Sequence, residues 1–274
     1  MVVWVTGADG FIGSALVRNL AHSGIRTLMP SLDIRDTAAI QKVVSENSFD
    51  AVIHLAGMSS VKECEINKSL AFSVNSEAVY HLGEAIAKIK PQAQLIFPST
   101  GHVYQSYPMG TQEEIYTEKS SVLPRNFYAL TKLQAEENLK FLAKNRGLKA
   151  TVLRLFNHTH KSQTQDFFLP SVYGQLLSAK KRGEKKALLT VGDIDVRRDI
   201  GAIQDLALAF QTVLFENPYK SDEVKTFNIS SGHAVGLRDL VNQLADKMEM
   251  EVDFKVDPQL IRENEPKSVV GINS

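Results

Sequence analysis

Two features of this sequence predict an α/β fold built on a doubly wound parallel sheet. At the N-terminus a β-branched run, Val2-Val3-Trp4-Val5, runs into the glycine-rich turn Thr6-Gly7-Ala8-Asp9-Gly10-Phe11-Ile12-Gly13. Ala15, Leu16 and Leu20 follow it at helical spacing. Beyond this unit, short apolar runs of strand length alternate with helix-length patterns until about residue 160, where the alternation weakens. Together these predict a Rossmann-type sheet over residues 1–160 and a smaller C-terminal α/β part over residues 161–274. Residues 201–216 are expected to pack back on the first sheet.

Within the turn, Gly7 permits the tight bend and Gly10 lets the backbone approach a pyrophosphate. Gly13 lets helix pack on strand, and the helix N-terminus supplies N–H donors. A second strand is expected over 27–29. Folds that hold a ribose 2′-hydroxyl often place an acidic residue there, but this chain has Met29-Pro30-Ser31, and Asp33 comes late. Asp33-Ile34 either meets an adenine edge or leaves Asp33 capping its own loop. A helix over Thr37–Glu46 and a buried strand over 50–54 lead into Leu55-Ala56-Gly57, small residues that let backbone approach a cofactor. His54 reads as a satisfied core histidine. A long helix is expected over 69–88, with Asn75 inside it facing solvent or bonding a neighbouring loop.

The next strand, 94–97, ends in Pro98-Ser99-Thr100-Gly101-His102-Val103-Tyr104. A hydroxyl at the carboxyl end of a parallel strand lies where open sheets place ligands, which makes Thr100 a candidate to bond a substrate carbonyl. In the helical run after Asn126, Tyr128 and Lys132 stand at i and i+4, so one face carries a phenol and an ammonium. A lysine charge about 4 Å away would lower the phenol by about three units at an effective dielectric of about 20. Strands over 150–155, 187–191, 226–229 and 252–254 and helices over 167–180, 203–215 and Leu237–Lys247 complete the pattern. Residues 192–199 form a dense charged loop, read either as a solvated turn or as Arg198 on a phosphate, with Asp199 on that arginine or nearby backbone.

The 274 residues are 43% hydrophobic and 23% charged, enough for one large domain or two intimate ones. The 31 basic and 31 acidic side chains cancel, so no general basic field invites nucleic acid or a membrane surface. Cys64 is the only cysteine, which excludes an intramolecular disulfide and fits a reducing compartment. The apolar runs are short and broken by charges, and no signal peptide, membrane span or metal-ligand cluster is read. The expectation is a soluble cytoplasmic protein.

The Gly7/Gly10/Gly13 turn, Leu55-Ala56-Gly57, Thr100 four residues before Tyr104, Tyr128 with Lys132, and Arg154-Leu155-Phe156-Asn157 resemble the extended short-chain dehydrogenase/reductases, the NAD-dependent epimerase/dehydratase family. Pro124-Arg125-Asn126-Phe127-Tyr128, Phe156-Asn157-His158 and residues 191–199 are similar to the GDP-6-deoxy-D-mannose reductases within it, as are Asp257-Pro258, Arg262 and Glu265. The resemblance implies an oxidoreductase acting on a nucleotide-diphosphate sugar, GDP-linked by preference, with Thr100, Tyr128 and Lys132 as the catalytic set. It implies a cofactor site of Gly7, Gly10, Phe11, Ile12, Gly13, Asp33, Ile34, Leu55, Ala56, Gly57, Tyr128, Lys132 and Leu155. NADP(H) is favoured, with NAD(H) as the alternative, because no carboxylate ends the second strand. Thr100, Asn157, Arg198, Arg262 and Glu265 are the implied substrate contacts. A homodimer through a four-helix bundle of residues 69–88 and the Tyr128 helix is implied, as is a further helix beyond Ser274. Dehydratases of the family carry acidic residues directly after the catalytic Thr, whereas here Gly101 and His102 follow it. Reduction of a C4 ketone is therefore the leading expectation, a 4-epimerase with tightly held NAD the second, and a silent nucleotide-binding subunit the third.

Overall fold

The structure is a computed structural model that describes residues 1–106, 113–216, 223–261 and 266–272. Its first half repeats one unit: a short apolar strand, a turn and an amphipathic helix. In order these are β1 (Val2–Thr6), α1 (Phe11–His22), β2 (Arg26–Leu28), α2 (Thr37–Glu46), β3 (Ala51–His54), α3 (Val61–Ile66), α4 (Lys68–Phe72) and α5 (Ala78–Ile89). Next come β4 (Gln94–Thr100), β5 (Glu114–Tyr116), α6 (Phe127–Arg146), β6 (Lys149–Leu155) and β7 (Asn157–Thr159). The rest comprises α7 (Phe168–Lys181), β8 (Lys186–Val191), β9 (Arg197–Ala202), α8 (Ile203–Glu216), β10 (Lys225–Ile229), β11 (Ala234–Gly236), α9 (Leu237–Lys247), β12 (Glu251–Val256) and β13 (Ser268–Gly271).

Six parallel strands form the main sheet in the order β10-β6-β4-β3-β1-β2. The chain leaves β1 for β2 on one side and returns to β3 on the other, so the switch point lies between the carboxyl ends of β1 and β3. Parallel strands bury both faces, and β3 and β4 are buried at every residue. One face packs Trp4, Val52, Leu95 and Phe97 against α2, α5 and α6; the other packs Val3, Val5, Ile53 and Leu153 against α1 and α8. Each fully buried aliphatic or aromatic side chain there contributes about 2 kcal/mol of transfer free energy. The expected α/β fold is the one observed.

A second sheet, β11-β9-β13-β5, lies beyond the first, with β7 paired to β9. A third pairs β8 with β12 and packs under α7 and α9. The division at residue 160 is crossed in both directions: β5 joins the second sheet, while α8 and β10 return to the first. Two local expectations are corrected. The charged stretch 192–199 is not all loop, because Arg197 to Asp199 pair with β11 as strand. The helix expected over 69–88 is interrupted by a π-helical turn, Ser73–Glu77, that buries Asn75. Among the described residues no helix is long and apolar enough to cross a membrane, and no cluster of metal-ligating side chains occurs.

Candidate active site

The glycine turn sits at the switch point and is shaped by close approach. Gly7 takes φ +62°, and a Cβ there would stand 2.7 Å from the Ala56 nitrogen. A Cβ on Gly13 would stand 2.1 Å from the Gly7 carbonyl oxygen, so strand, turn and helix close only with glycine in both places. Around Gly10 a Cβ would meet only that same carbonyl, at 3.2 Å, so the cradle is otherwise open. Gly10 is the N-cap of α1 and offers no side-chain cap, which leaves the first-turn N–H groups, including those of Phe11 and Ile12, for a ligand. An uncapped helix N-terminus with open space before it fits a pyrophosphate. Gly13→Ala is expected to destabilise the protein by about 1–3 kcal/mol and to weaken cofactor binding at least tenfold, read by fluorescence titration.

The catalytic candidates come from α6 and the end of β4. Asn126 starts the helix by accepting the Ala129 N–H at 2.8 Å, and Gly147 ends it in the left-handed region at φ +69°. Tyr128, Lys132 and Glu136 follow at i, i+4 and i+8, and each meets one residue of β4. Thr100 lies against the Tyr128 phenol. Lys132 Nζ donates to the Pro98 carbonyl at 2.9 Å and rests 4.5 Å from the Phe97 ring centroid. Ser99 Oγ donates to Glu136, whose carboxylate also takes two hydrogen bonds from Arg154, at 3.1 and 2.6 Å.

The electrostatics differ from the expectation drawn on spacing. Desolvation pushes the half-buried Tyr128 phenol up to about 12, against the opposing pull of the Thr100 hydroxyl. Desolvation lowers the Lys132 ammonium to about 8, with the Cys64 and Glu136 charges raising it. Lys132 therefore does not depress the phenol: its ammonium is turned to Pro98, and burial outweighs charge. At neutral pH Tyr128 holds its proton, the state required of an acid.

His54 and Asn75 brace this centre from β3 and from the π-turn. Thr6 Oγ1 accepts the Ala56 N–H at 3.0 Å and shares a hydrogen bond with His54 Nδ1 at 2.8 Å. His54 is thus a core histidine, though only half satisfied, since Nε2 has no partner. Burial lowers it to about 3. The unfolded chain takes that proton at about 6.5 and the folded one refuses it until about 3. Stability present above pH 6.5 is therefore lost as pH falls through this window, by about 1.4 kcal/mol per unit. His54→Gln should flatten that acid limb in urea titrations. Asn75 bonds both backbone groups of Met58, at 2.8 and 3.0 Å, and Thr131 Oγ1 at 3.1 Å, pinning the loop after Gly57 to α6. A polar residue inside an apolar helical pattern was its only signal in the sequence.

The remaining candidates divide. Asp33 accepts from the Arg35 N–H and guanidinium, and that cation lowers its carboxyl to about 2. Ile34 is buried in the sheet core, and Leu55 and Leu155 pack at the other face. Asn157 Nδ2 donates to the Asp199 carbonyl at 3.2 Å. Asp199 is fully buried and bonds Ser231, Gly232 and Gly271 rather than Arg198, while Arg198 donates to the carbonyls of Arg197 and Pro266. The structure ties Asn157, Arg198 and Asp199 into the second sheet through these bonds. Arg262 and Glu265 lie outside the described residues. His102 stands edge-on to the Tyr128 ring, centroids 6.3 Å apart, and its backbone N–H donates to Thr100 Oγ1 at 3.2 Å.

A parallel sheet with a glycine cradle at its switch point and a Tyr-Lys helix beside it defines a nicotinamide-dependent oxidoreductase. The chain belongs to the NAD dependent epimerase/dehydratase family, whose model matches residues 3–230. It is 29% identical to the GDP-6-deoxy-D-mannose reductase of Pseudomonas aeruginosa, over 98% of this chain and 87% of that one. It is 25% identical to the UDP-glucose 4-epimerase of Lactobacillus helveticus, over 99% of this chain and 88% of that one. The solved structure of RMD from Pseudomonas aeruginosa complexed with NADPH matches with a TM-score of 0.85 at 28% identity, covering 99% of this chain and 89% of that one. The protein is an enzyme of the nucleotide-sugar reductase and epimerase group.

Proposed function

We propose that the protein reduces the C4 ketone of a nucleotide-diphosphate 4-keto-6-deoxy sugar with NADPH, converting GDP-4-keto-6-deoxy-D-mannose to GDP-D-rhamnose. The observation that carries this reading is the Tyr128 phenol beside the Thr100 hydroxyl at the end of β4, one helical turn from Lys132. The cradle and the α1 N-terminus would hold the cofactor pyrophosphate. Bound dihydronicotinamide supplies the hydride that C4 receives. Thr100 holds the C4 oxygen, and Tyr128 gives its proton to that oxygen as it gains charge. Lys132, tethered by one N–H to Pro98, has further donors for the nicotinamide ribose and steadies the phenolate left behind. Asn157 and Arg198, with Arg262 and Glu265, would grip the nucleotide diphosphate.

The NADP(H) preference is supported by the absence of a carboxylate at the end of β2 and by the engagement of Asp33 with Arg35. The GDP moiety is supported by the 29% identical reductase. A homodimer is supported by Ile66, Leu70 and Phe72 on α3 and α4 and by Leu130 and Phe141 on α6, all exposed apolar side chains. The 25% identical UDP-glucose 4-epimerase favours a second reading, 4-epimerisation with retained oxidised cofactor, by the same three residues.

The deciding experiment is NADPH oxidation with GDP-4-keto-6-deoxymannose, with the product identified by NMR. Stoichiometric oxidation to GDP-rhamnose is expected. No oxidation, with NAD co-purified, would transfer the assignment to the epimerase. Light scattering reads the dimer.

A further inference from the structure

Two of the most deeply buried charges among the described residues, Glu136 and Arg154, meet one turn beyond Lys132. Glu136 is fully buried and Arg154 is 4% exposed. Arg154 and Ser99, the two partners of Glu136, are themselves cross-strand neighbours on β6 and β4. The Arg154 guanidinium lies 4.8 Å from the Tyr104 ring centroid, and the Tyr104 hydroxyl donates to Asn228 at 2.6 Å. A buried ion pair is a weak source of stability, because desolvation offsets its attraction, so its position asks for another explanation.

Along α6 the three polar residues meet three consecutive residues of β4: Tyr128 with Thr100, Lys132 with the Pro98 carbonyl, and Glu136 with Ser99. The Glu136 contact is clamped from the far side by Arg154, so sliding the helix along β4 would leave a carboxylate buried and unpaired, which costs several kcal/mol. The same carboxylate is the nearest acidic neighbour on the helix to Lys132. The other titratable or charged groups around Lys132 are Tyr128 on α6, Cys64 on α3, His54 on β3 and Arg154 on β6. Burial keeps His54 neutral and raises the Cys64 thiol.

We propose that Glu136, held by Ser99 and Arg154, is a positioning residue for the Tyr128–Lys132 pair: it fixes the register of α6 on β4 and keeps Lys132 cationic. Its consequence for turnover rests on the reductase reading; its effect on Lys132 does not.

The test is NMR titration of Lys132 in cofactor-free protein carrying [ε-13C]lysine, the resonance assigned by its absence in Lys132→Met. Glu136→Gln is expected to lower the Lys132 midpoint by about one unit, and Glu136→Asp, which keeps the charge, to restore it. Should Glu136→Gln fail to fold, Glu136→Gln with Arg154→Met is compared with Arg154→Met alone, so that only the carboxylate differs, and the double variant is expected to have the lower midpoint. A wild-type midpoint in Glu136→Gln, or equal midpoints in Arg154→Met and the double variant, would overturn the proposal. The alkaline limb of kcat should move with the midpoint. If the substrate is wrong, that limb is silent in every variant, wild type included, while the NMR titration still answers.

Discussion

Replacing Tyr128 with Phe is expected to cut turnover by about 10²–10⁴-fold, the range removed with one positioned general acid, while cofactor affinity changes little. The substitution takes away one oxygen. The ring keeps its edge-on packing with His102, and the N-terminus of α6 keeps its Asn126 cap. The glycine cradle lies across the strand ends and is untouched, so fluorescence titration with NADPH should give wild-type affinity. What is lost is the phenol placed against Thr100, and Thr100 alone offers an orienting hydroxyl with no acid of suitable strength. Wild-type kcat in Tyr128→Phe would remove the residue from the mechanism.

Tyr128 also shows what the sequence could and could not tell. Elements made by pattern were legible: the Tyr128 helix, the glycine turn, and buried strands such as β3 and β6 follow from apolar period and local turn chemistry. So did the proximity of Tyr128 and Lys132, which the helix imposes by itself. The direction of the phenol's shift was not legible, since it depends on which partner Lys132 finds and on how dry the cleft is, both tertiary facts. The π-turn at Asn75 was hidden for the same reason, because its partners Met58 and Thr131 are remote in sequence. Glu136 read as one more surface charge on a helix rich in them, and only the cross-strand pairing of Ser99 with Arg154 shows why it is buried. Arg197 to Asp199 carry charges at strand positions, where composition argues for loop. Their pairing with β11 and the bonds from Asp199 to three backbone N–H groups compensate the charge.

Lys132→Met is expected to abolish detectable turnover and yet to make the cofactor-free protein more stable at neutral pH. Lys132 is 7% exposed, and desolvation lowers its ammonium to about 8 from an ordinary 10.5. Below pH 8 both folded and unfolded chains hold the proton, and the folded one bears the full penalty of burying it, on the order of 3 kcal/mol. Between pH 8 and 10.5 the folded protein has released a proton that the unfolded chain still binds, so wild-type stability rises with pH. Methionine has nearly the same reach and no charge, but it leaves the Pro98 carbonyl without its donor, at a cost of about 1–3 kcal/mol. That cost is independent of pH, whereas the ammonium penalty is not. Urea unfolding at pH 7 and at pH 10.5 separates them: the stability of Lys132→Met relative to wild type should fall by about 3 kcal/mol between the two. A difference that does not change with pH would show that Lys132 is not buried as a strained cation. The predicted outcome is a residue kept against the stability of the fold. Its ammonium sits one turn from the phenol that gives up a proton, and that phenolate is the charge for which a cation in this place is needed.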